Sequence, residues 1–163
     1  MISDILQEYE QLKLSKEKYN SSSSVADITE LKNSVRLVNS DTILLCNPKY
    51  PTLFQVMIFF DRIEELTKEI EEFYIVVGAN QIKWPSTKLN LYSRKRYKLL
   101  NDKLIHVSII SGYSPKVNLI VGFFIDIIFG KISVSMHLNI RQALEDQENI
   151  RKQLNPDKYN PSD

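Results

Sequence analysis

The adjacent hydroxyls of Ser86 and Thr87 offer the first chemistry in this sequence, within the stretch KWPSTKLNLYSRKRYKLL. A hydroxyl at the start of a helix accepts a hydrogen bond from a free backbone N–H and contributes about 1 kcal/mol. A phosphate at the same place would be stabilised by the helix dipole and the free N–H groups. The pair therefore fits either a helix cap or a phosphorylation switch.

A cluster of four cations follows in the segment SRKRYK, close to Tyr92 and Tyr97. Cations beside aromatic rings can contact phosphates and stack on bases. The formal net charge of the chain is only +1, so no overall field recruits nucleic acid or an anionic membrane. We therefore predict no nucleic-acid partner and a solvated helix face formed by Arg94, Lys95 and Lys98. The inward face of the same helix is predicted to comprise Leu91, Leu99 and Leu100.

The remaining reactive side chains are predicted to be structural. His106 and His137 have no Cys, His or Asp at metal-ligand spacing around them. Cys46 lies in an apolar segment, where a cysteine packs as a small core residue. The acidic run from Glu64 to Glu72 is predicted to be solvent-exposed, with no nucleophile beside it. We therefore predict no metal, no cofactor and no catalytic residue.

Length and composition indicate one globular domain. A chain of 163 residues can bury a sizeable core, and its single cysteine cannot form an internal disulfide. The N-terminal residues carry early acids and do not resemble a signal peptide. The most apolar window, residues 117–130, is too short to span a bilayer and contains Asp126. The expected compartment is the cytoplasm.

Hydrophobic periodicity predicts the elements that position these residues. The first half should contain an amphipathic helix over residues 2–19, a Ser-rich linker, a hairpin around Asn39-Ser40 and a helix that Thr52 caps and that reaches Ile70. The second half should alternate strands and helices: strand 73–79, helix 86–100, strand 104–110, helix 114–130, strand 131–138 and a final helix that Asn139 caps. This order predicts an α/β fold with a mixed, mostly parallel sheet of four to five strands.

The chain is predicted to divide into an N-terminal helix and linker (residues 1–24), the α/β domain (25–154) and a flexible tail (155–163). From the sequence, the N-terminal helix can pack on the domain, pair with a second copy or meet a partner.

Apolar residues surround the helix near Phe123, Phe124, Ile127 and Ile128, which indicates burial on two sides. We predict an oligomer or partner surface there.

The element order over residues 35–153 resembles that of the STAS family, the sulfate-transporter and anti-sigma-factor-antagonist domains. The stretch YIVVGANQIKWPSTKLNLYSRKRYKLL is similar to the family's strand, loop, Asp-Ser-Ser-Gly-Leu motif and following helix. The stretch HVSIISGYSPKVNLIVGFFIDIIFGKISVSMHLNIRQAL is similar to its late strand, Ser-Pro helix, last strand and closing helix. The resemblance implies a STAS-like sheet with an extra N-terminal helix.

The resemblance also implies a site. Ser86 and Thr87 fall on the two serines of the motif, and Thr87 falls where the switch kinase phosphorylates members of the family. Leu89 matches the motif leucine, whereas Pro85 replaces its Asp and Lys88 replaces its Gly. The implied partner-binding or phospho-switch residues are Ser86, Thr87, Lys88, Leu89 and Tyr92.

Three functions follow as hypotheses. The first is a non-enzymatic STAS-like regulatory module that binds a protein, such as a switch kinase or another regulator. The second is a scaffold protein that oligomerises through the N-terminal helix and the Phe123–Ile128 surface. The third is a small ligand-binding domain with its site at residues 78–80 and 111–113, where open α/β sheets place ligands.

Overall fold

A computed structural model describes residues 2–21, 28–48, 51–79, 86–111, 125 and 128–156. Five strands and five helices have described bounds, and the strands form one sheet. In chain order they are α1 Ile2–Ser21, α2 Ile28–Asn33, β1 Val35–Val38, β2 Thr42–Cys46, α3 Leu53–Leu66, β3 Phe73–Gly78, α4 Thr87–Leu100, β4 Leu104–Ile110, β5 Ser133–His137 and α5 Ile140–Leu154.

The sheet has the order β1-β2-β3-β4-β5 and is mixed, mostly parallel. β1 is antiparallel to β2, and the other three pairs of neighbouring strands are parallel. Asn39 turns the β1–β2 hairpin with a φ of 55°, a left-handed conformation that asparagine tolerates better than most residues. The predicted hairpin and the predicted α/β class are therefore confirmed.

One face of the sheet, here called the crossover side, is covered by α2, α3 and α4. Because β2, β3 and β4 follow one another in the same direction, right-handed connections place α3 and α4 on a single face. The strand residues buried on this side are apolar, and they comprise Val35, Ile43, Leu45, Phe73, Ile75, Val77, Leu104, Val107 and Ile109.

The opposite face, here called the terminal side, is covered by α1 and α5. Ile5, Tyr9 and Leu12 of α1 pack on the sheet beside the start of α5. Because strand side chains alternate, Leu44, Val76 and Ile110 point to this side. The structure thus places α1 on the sheet, the first of the three arrangements that the sequence left open.

Gly78 marks a close approach between α1 and the end of β3. A Cβ atom at this position would lie 2.8 Å from Cys46 Sγ and 2.9 Å from Tyr9 Oη. No larger residue fits without a shift of these neighbours, so Gly78 allows Tyr9 to cover the ends of β2 and β3. Burial of Tyr9 raises the pKa of its hydroxyl.

Helix ends follow the predicted chemistry. Thr52 caps α3 in a reciprocal capping box with Gln55. Asn139 caps α5 by accepting a hydrogen bond from the Gln142 N–H at 3.0 Å. Gly130, at a φ of 64°, follows two helical residues, as expected of a helix end.

Three details of the helix predictions are wrong. α3 ends at Leu66, short of Ile70. The short helix α2 was not predicted. Leu91 and Leu99 are 61% and 67% exposed rather than inward-facing, because α4 turns Leu89, Ser93 and Leu100 toward the core.

The predicted domain boundaries at residues 24 and 154 stay predictions. The Ser-rich stretch beyond residue 21 and the tail beyond residue 156 lie outside the described residues. Among the described helices, none is both long and apolar enough to cross a bilayer.

Candidate functional site

The predicted hydroxyl pair lies at the exposed start of α4. Ser86 is the cap residue, and its Oγ accepts a hydrogen bond from the Leu89 N–H at 3.3 Å. Ser86, Thr87 and Lys88 are exposed, whereas the Leu89 side chain is buried in the core. Both hydroxyls are therefore accessible from solvent, and only that of Ser86 serves as the cap.

Arg96 joins α4 to α3. Its Nη2 lies 2.9 Å from Asp61 Oδ1 and 2.9 Å from Glu64 Oε1, and its Nη1 donates to Tyr92 Oη at 2.7 Å. Phe60 of α3 packs edge-on against the Tyr92 ring, with 6.2 Å between centroids. Arg96 is thus used within the fold, whereas Arg94, Lys95 and Lys98 are exposed as predicted.

Two exposed apolar side chains lie near the start of α3. Phe54 and Met57 are 44% and 40% exposed, and they precede the Arg96-contacting residues of α3 at helical spacing. Lys88 and Tyr92 precede Arg96 on α4 by two turns and one turn. Since α3 and α4 run in the same direction, these side chains lie near the same end of the two helices. We name this region the α3–α4 surface, comprising Phe54, Met57, Ser86, Thr87, Lys88 and Tyr92.

The second predicted surface is described only at one residue. Phe123, Phe124 and Ile127 lie outside the described residues, and Ile128 is helical and half-buried. An oligomer or partner surface at these four residues stays a prediction.

A polar cluster that was not predicted as a group lies on the terminal side between β4, β5 and α5. We name it the β4–β5 cluster: His106, Ser133, Ser135, His137 and Asp146. The His106 ring lies between two serines of β5, with Nδ1 2.8 Å from Ser133 Oγ and Nε2 2.8 Å from Ser135 Oγ. Ser135 Oγ is also 2.7 Å from His137 Nε2. One hydroxyl therefore links both imidazoles.

Asp146 of α5 completes the β4–β5 cluster. Its Oδ2 lies 3.3 Å from His137 Nε2 and 3.7 Å from His106 Nε2. Arg151, at the far end of α5, fixes the helix by a paired contact with Asp41, Nη2 to Oδ1 at 2.7 Å and Nε to Oδ2 at 3.2 Å. This contact and the Asn139 cap hold Asp146 over the two rings.

Burial favours the neutral form of both imidazoles. It lowers the pKa of His106 and of His137, and the nearby Asp146 carboxylate opposes this shift in both. A serine hydroxyl donates only one proton, so at least one of the two Nε2 atoms must donate to Ser135 Oγ. The tautomers of the two rings are therefore linked through the Ser135 hydroxyl. In the described part of the chain, no three His, Cys, Asp or Glu side chains are grouped so as to hold a metal ion.

The sequence carries a signal for only part of this cluster: the alternation in KISVSMHL places Ser133, Ser135 and His137 on one face of a strand. Alternation alone gives no neighbour for that face. β4 supplies His106, which is distant from β5 in the sequence. α5 supplies Asp146, and a short turn separates this helix from β5.

No protein-family model matches the chain, and comparisons with curated proteins and with solved structures also give no match.

Proposed function

We propose that this chain is a non-enzymatic, STAS-like regulatory module that binds a protein partner through the α3–α4 surface. The observation that carries the proposal is the exposure of two apolar side chains, Phe54 and Met57, near the start of α3, together with the exposed hydroxyls at the start of the neighbouring helix α4. The element order and the motif positions of Ser86, Thr87 and Leu89 support the STAS-like assignment.

The α3–α4 surface combines features that favour protein binding. Burial of exposed apolar area against a partner is favourable by roughly 25 cal/mol per Å². Methionine adapts its shape to a partner through its flexible side chain. The surrounding hydroxyls and the Lys88 ammonium supply directional polar contacts, which select among partners. The surface therefore combines exposed apolar area with exposed polar groups.

A phosphate on Thr87 would regulate this binding. It would lie at the first residue of α4, where the helix dipole and the free N–H groups stabilise negative charge. It would also add about two negative charges to the surface beside Lys88. Modification of Ser86 would in addition disturb the cap hydrogen bond to Leu89. Thr87 is accordingly the better site for a switch.

The binding proposal is tested by comparative capture from native cells with the whole chain as bait. We expect the double variant Phe54→Asn, Met57→Gln to lose a partner that the unmodified chain captures. Its affinity for that partner should be at least about tenfold lower. The matched control is Leu154→Gln, which makes the same kind of change at another exposed apolar residue. Equal capture by the double variant and the unmodified chain would contradict the proposal.

The switch is tested separately with single hydroxyl variants. After incubation with cell extract and ATP, we expect phosphate on the unmodified chain and on Ser86→Ala, and none on Thr87→Ala. The captured partner should then bind the phosphorylated and unphosphorylated chains with different affinity. A doubly substituted Ser86→Ala, Thr87→Ala chain that still changes its affinity would eliminate the switch and leave the binding surface intact.

A further inference from the structure

β5 forms one edge of the sheet, and within the described residues no strand pairs with its outer side. Its sequence, SVSMH, contains no Asp, Glu, Lys, Arg or Pro. Proteins protect edge strands with charges, prolines or bulges, because unpaired backbone groups template pairing with another chain. The opposite edge strand, β1, carries Arg36, which lies 3.6 Å from Glu8 of α1. β5 therefore lacks the protection that β1 has.

The direction of the backbone groups of β5 follows from one hydrogen bond. The His137 carbonyl accepts from the Ser111 N–H at 3.1 Å, so the backbone groups of His137 face β4. The N–H and C=O of one strand residue point to the same side, and successive residues alternate. Ser135 and Ser133 therefore also face β4, whereas Val134 and Met136 direct their N–H and C=O groups outward.

The flanking N–H groups on the outer side are already used. The Ile132 N–H donates to the Phe129 carbonyl at 3.2 Å, and the Leu138 N–H donates to Gln142 Oε1 at 3.2 Å. The outward N–H groups that remain on β5 belong to Val134 and Met136. Their spacing of two residues is that of one repeat of an antiparallel ladder.

We propose that β5 pairs in antiparallel fashion with β5 of a second copy of this chain, about a two-fold axis at Ser135. In this register Val134 lies opposite Met136 of the second copy, and Met136 lies opposite Val134 of the second copy. Each pair exchanges two backbone hydrogen bonds, so the outward groups of both strands are satisfied by four bonds. The two five-stranded sheets become one continuous sheet.

The side chains around Ser135 match this register, which favours a second copy over an unrelated strand. On the crossover side, Val134 lies opposite Met136 of the second copy, and Ile132 lies opposite Leu138 of the second copy. The Leu138 side chain is 58% exposed in the single chain. On the terminal side, Ser133 lies opposite His137 of the second copy, and the two copies of Ser135 lie opposite each other. Like charges directly opposite one another would be destabilising, and this register places none there. The interface is self-complementary, as two-fold symmetry requires, and uses no residue of the α3–α4 surface.

The solution mass of the whole chain tests the interface. We expect a dimer of twice 19.0 kDa, dissociating on dilution over roughly a hundredfold range of concentration. Met136→Lys places two cations across the axis, and Val134→Pro removes an outward N–H without removing a bond to β4, so both should yield folded monomers. Leu154→Lys, an equal charge change outside the interface, should remain dimeric. A monomeric unmodified chain at every concentration, or a dimeric Met136→Lys chain, would overturn the proposal.

A cysteine pair tests the register. Directly opposed residues that exchange no backbone hydrogen bond have Cα atoms about 4.5 Å apart, within the range that a disulfide spans. Ser135→Cys should therefore form a covalent dimer under mild oxidation. Ser133→Cys should not, because its counterpart in this register is His137. Equal cross-linking of both variants, with unchanged thermal unfolding, would exclude the two-fold register.

Discussion

The two sides of the sheet are built by different rules. On the crossover side the strand residues that are buried are apolar, and α3 is tied by short connections to a strand at each end. On the terminal side the same strands direct Thr42, His106 and Ser108 inward among apolar neighbours. The comparison shows that helices connecting adjacent strands are placed by topology, whereas α1 and α5 need specific contacts to define their positions.

Those specific contacts are concentrated at two points. At one, the Tyr9 ring closes over Gly78. At the other, Arg151 pairs with Asp41, donates to Thr42 Oγ1 at 2.7 Å and stacks on the Tyr74 ring with its Cζ 4.4 Å from the centroid. Both contacts are polar or shape-determined, and each fixes one of the two helices that cover the terminal side.

The largest effect is expected from a cavity on the crossover side. Phe73 is fully buried, and Phe73→Ala should lower the free energy of unfolding by about 3 to 5 kcal/mol. Phe54→Ala removes an equal ring from an exposed position and should change it by less than about 0.5 kcal/mol. Urea unfolding of both variants gives the difference. Similar costs would show that the crossover side does not form the main core.

An overpacking variant addresses the α1 contact on the terminal side. Gly78→Ala places a methyl group 2.8 Å from Cys46 Sγ and should cost about 1 to 3 kcal/mol. In a Cys46→Ala background the same substitution should cost less, because one of the opposing atoms is gone. A double-mutant cycle measured by urea unfolding gives the coupling. An unchanged cost would mean that Cys46 does not limit the clearance.

Two arginines allow the two sides to be compared directly. Arg151→Met should lower the free energy of unfolding by about 1.5 to 3 kcal/mol, because it removes charged hydrogen bonds to a half-buried partner. Arg96→Met should lower it by about 0 to 1 kcal/mol, since its carboxylate partners are largely exposed. Thermal unfolding of both variants, in low and in high salt, measures these changes in stability. The comparison fails if Arg96→Met is the more destabilising.

The smallest expected effect is a pH dependence of the β4–β5 cluster. Burial lowers the folded-state pKa of His106 and His137, so the unfolded chain binds protons first, at the ordinary histidine pKa of about 6.5. The stability due to neutral rings is therefore present above about pH 6.5 and is lost as the pH falls toward the lowered pKa. Urea unfolding at several pH values measures this slope.

The histidine variants isolate that slope from the titration of carboxylates. The double variant His106→Asn, His137→Asn should have a flatter pH dependence near 6.5 than the unmodified chain. Identical slopes in the two proteins would assign the effect to other groups. NMR titration of the ring protons gives the pKa values directly.

The sequence predicted the elements whose signals are local. The hairpin at Asn39, the caps at Thr52, Ser86 and Asn139, and the buried β-branched strands are all confirmed, because each depends on neighbouring residues alone. α2 was missed since six residues give too few turns to show a period, and its stability comes from Leu31 packing on α3 and β1.

The β4–β5 cluster could not be predicted because a bulge changes the alternation of β4. Phe73 pairs with Leu104, whereas Tyr74 pairs with His106, so Ile105 is an extra residue in the strand. Strict alternation would put His106 on the same side as Leu104. The bulge turns it to the terminal side, where β5 and α5 provide its partners. Of the candidate site, only the exposed start of α4 was accessible to sequence reasoning.

The position of α5 has a consequence for the order of synthesis. Leu44, Val76 and Ile110 share their cover between α1, which is made before every strand, and Ala143 and Leu144, which are made after all five. Until α5 has been synthesised, α1 is the only described helix that can cover this side of the sheet. A sheet that formed before α5 was available would therefore expose apolar area that Ala143 and Leu144 cover in the complete fold, where Arg151 also pairs with Asp41.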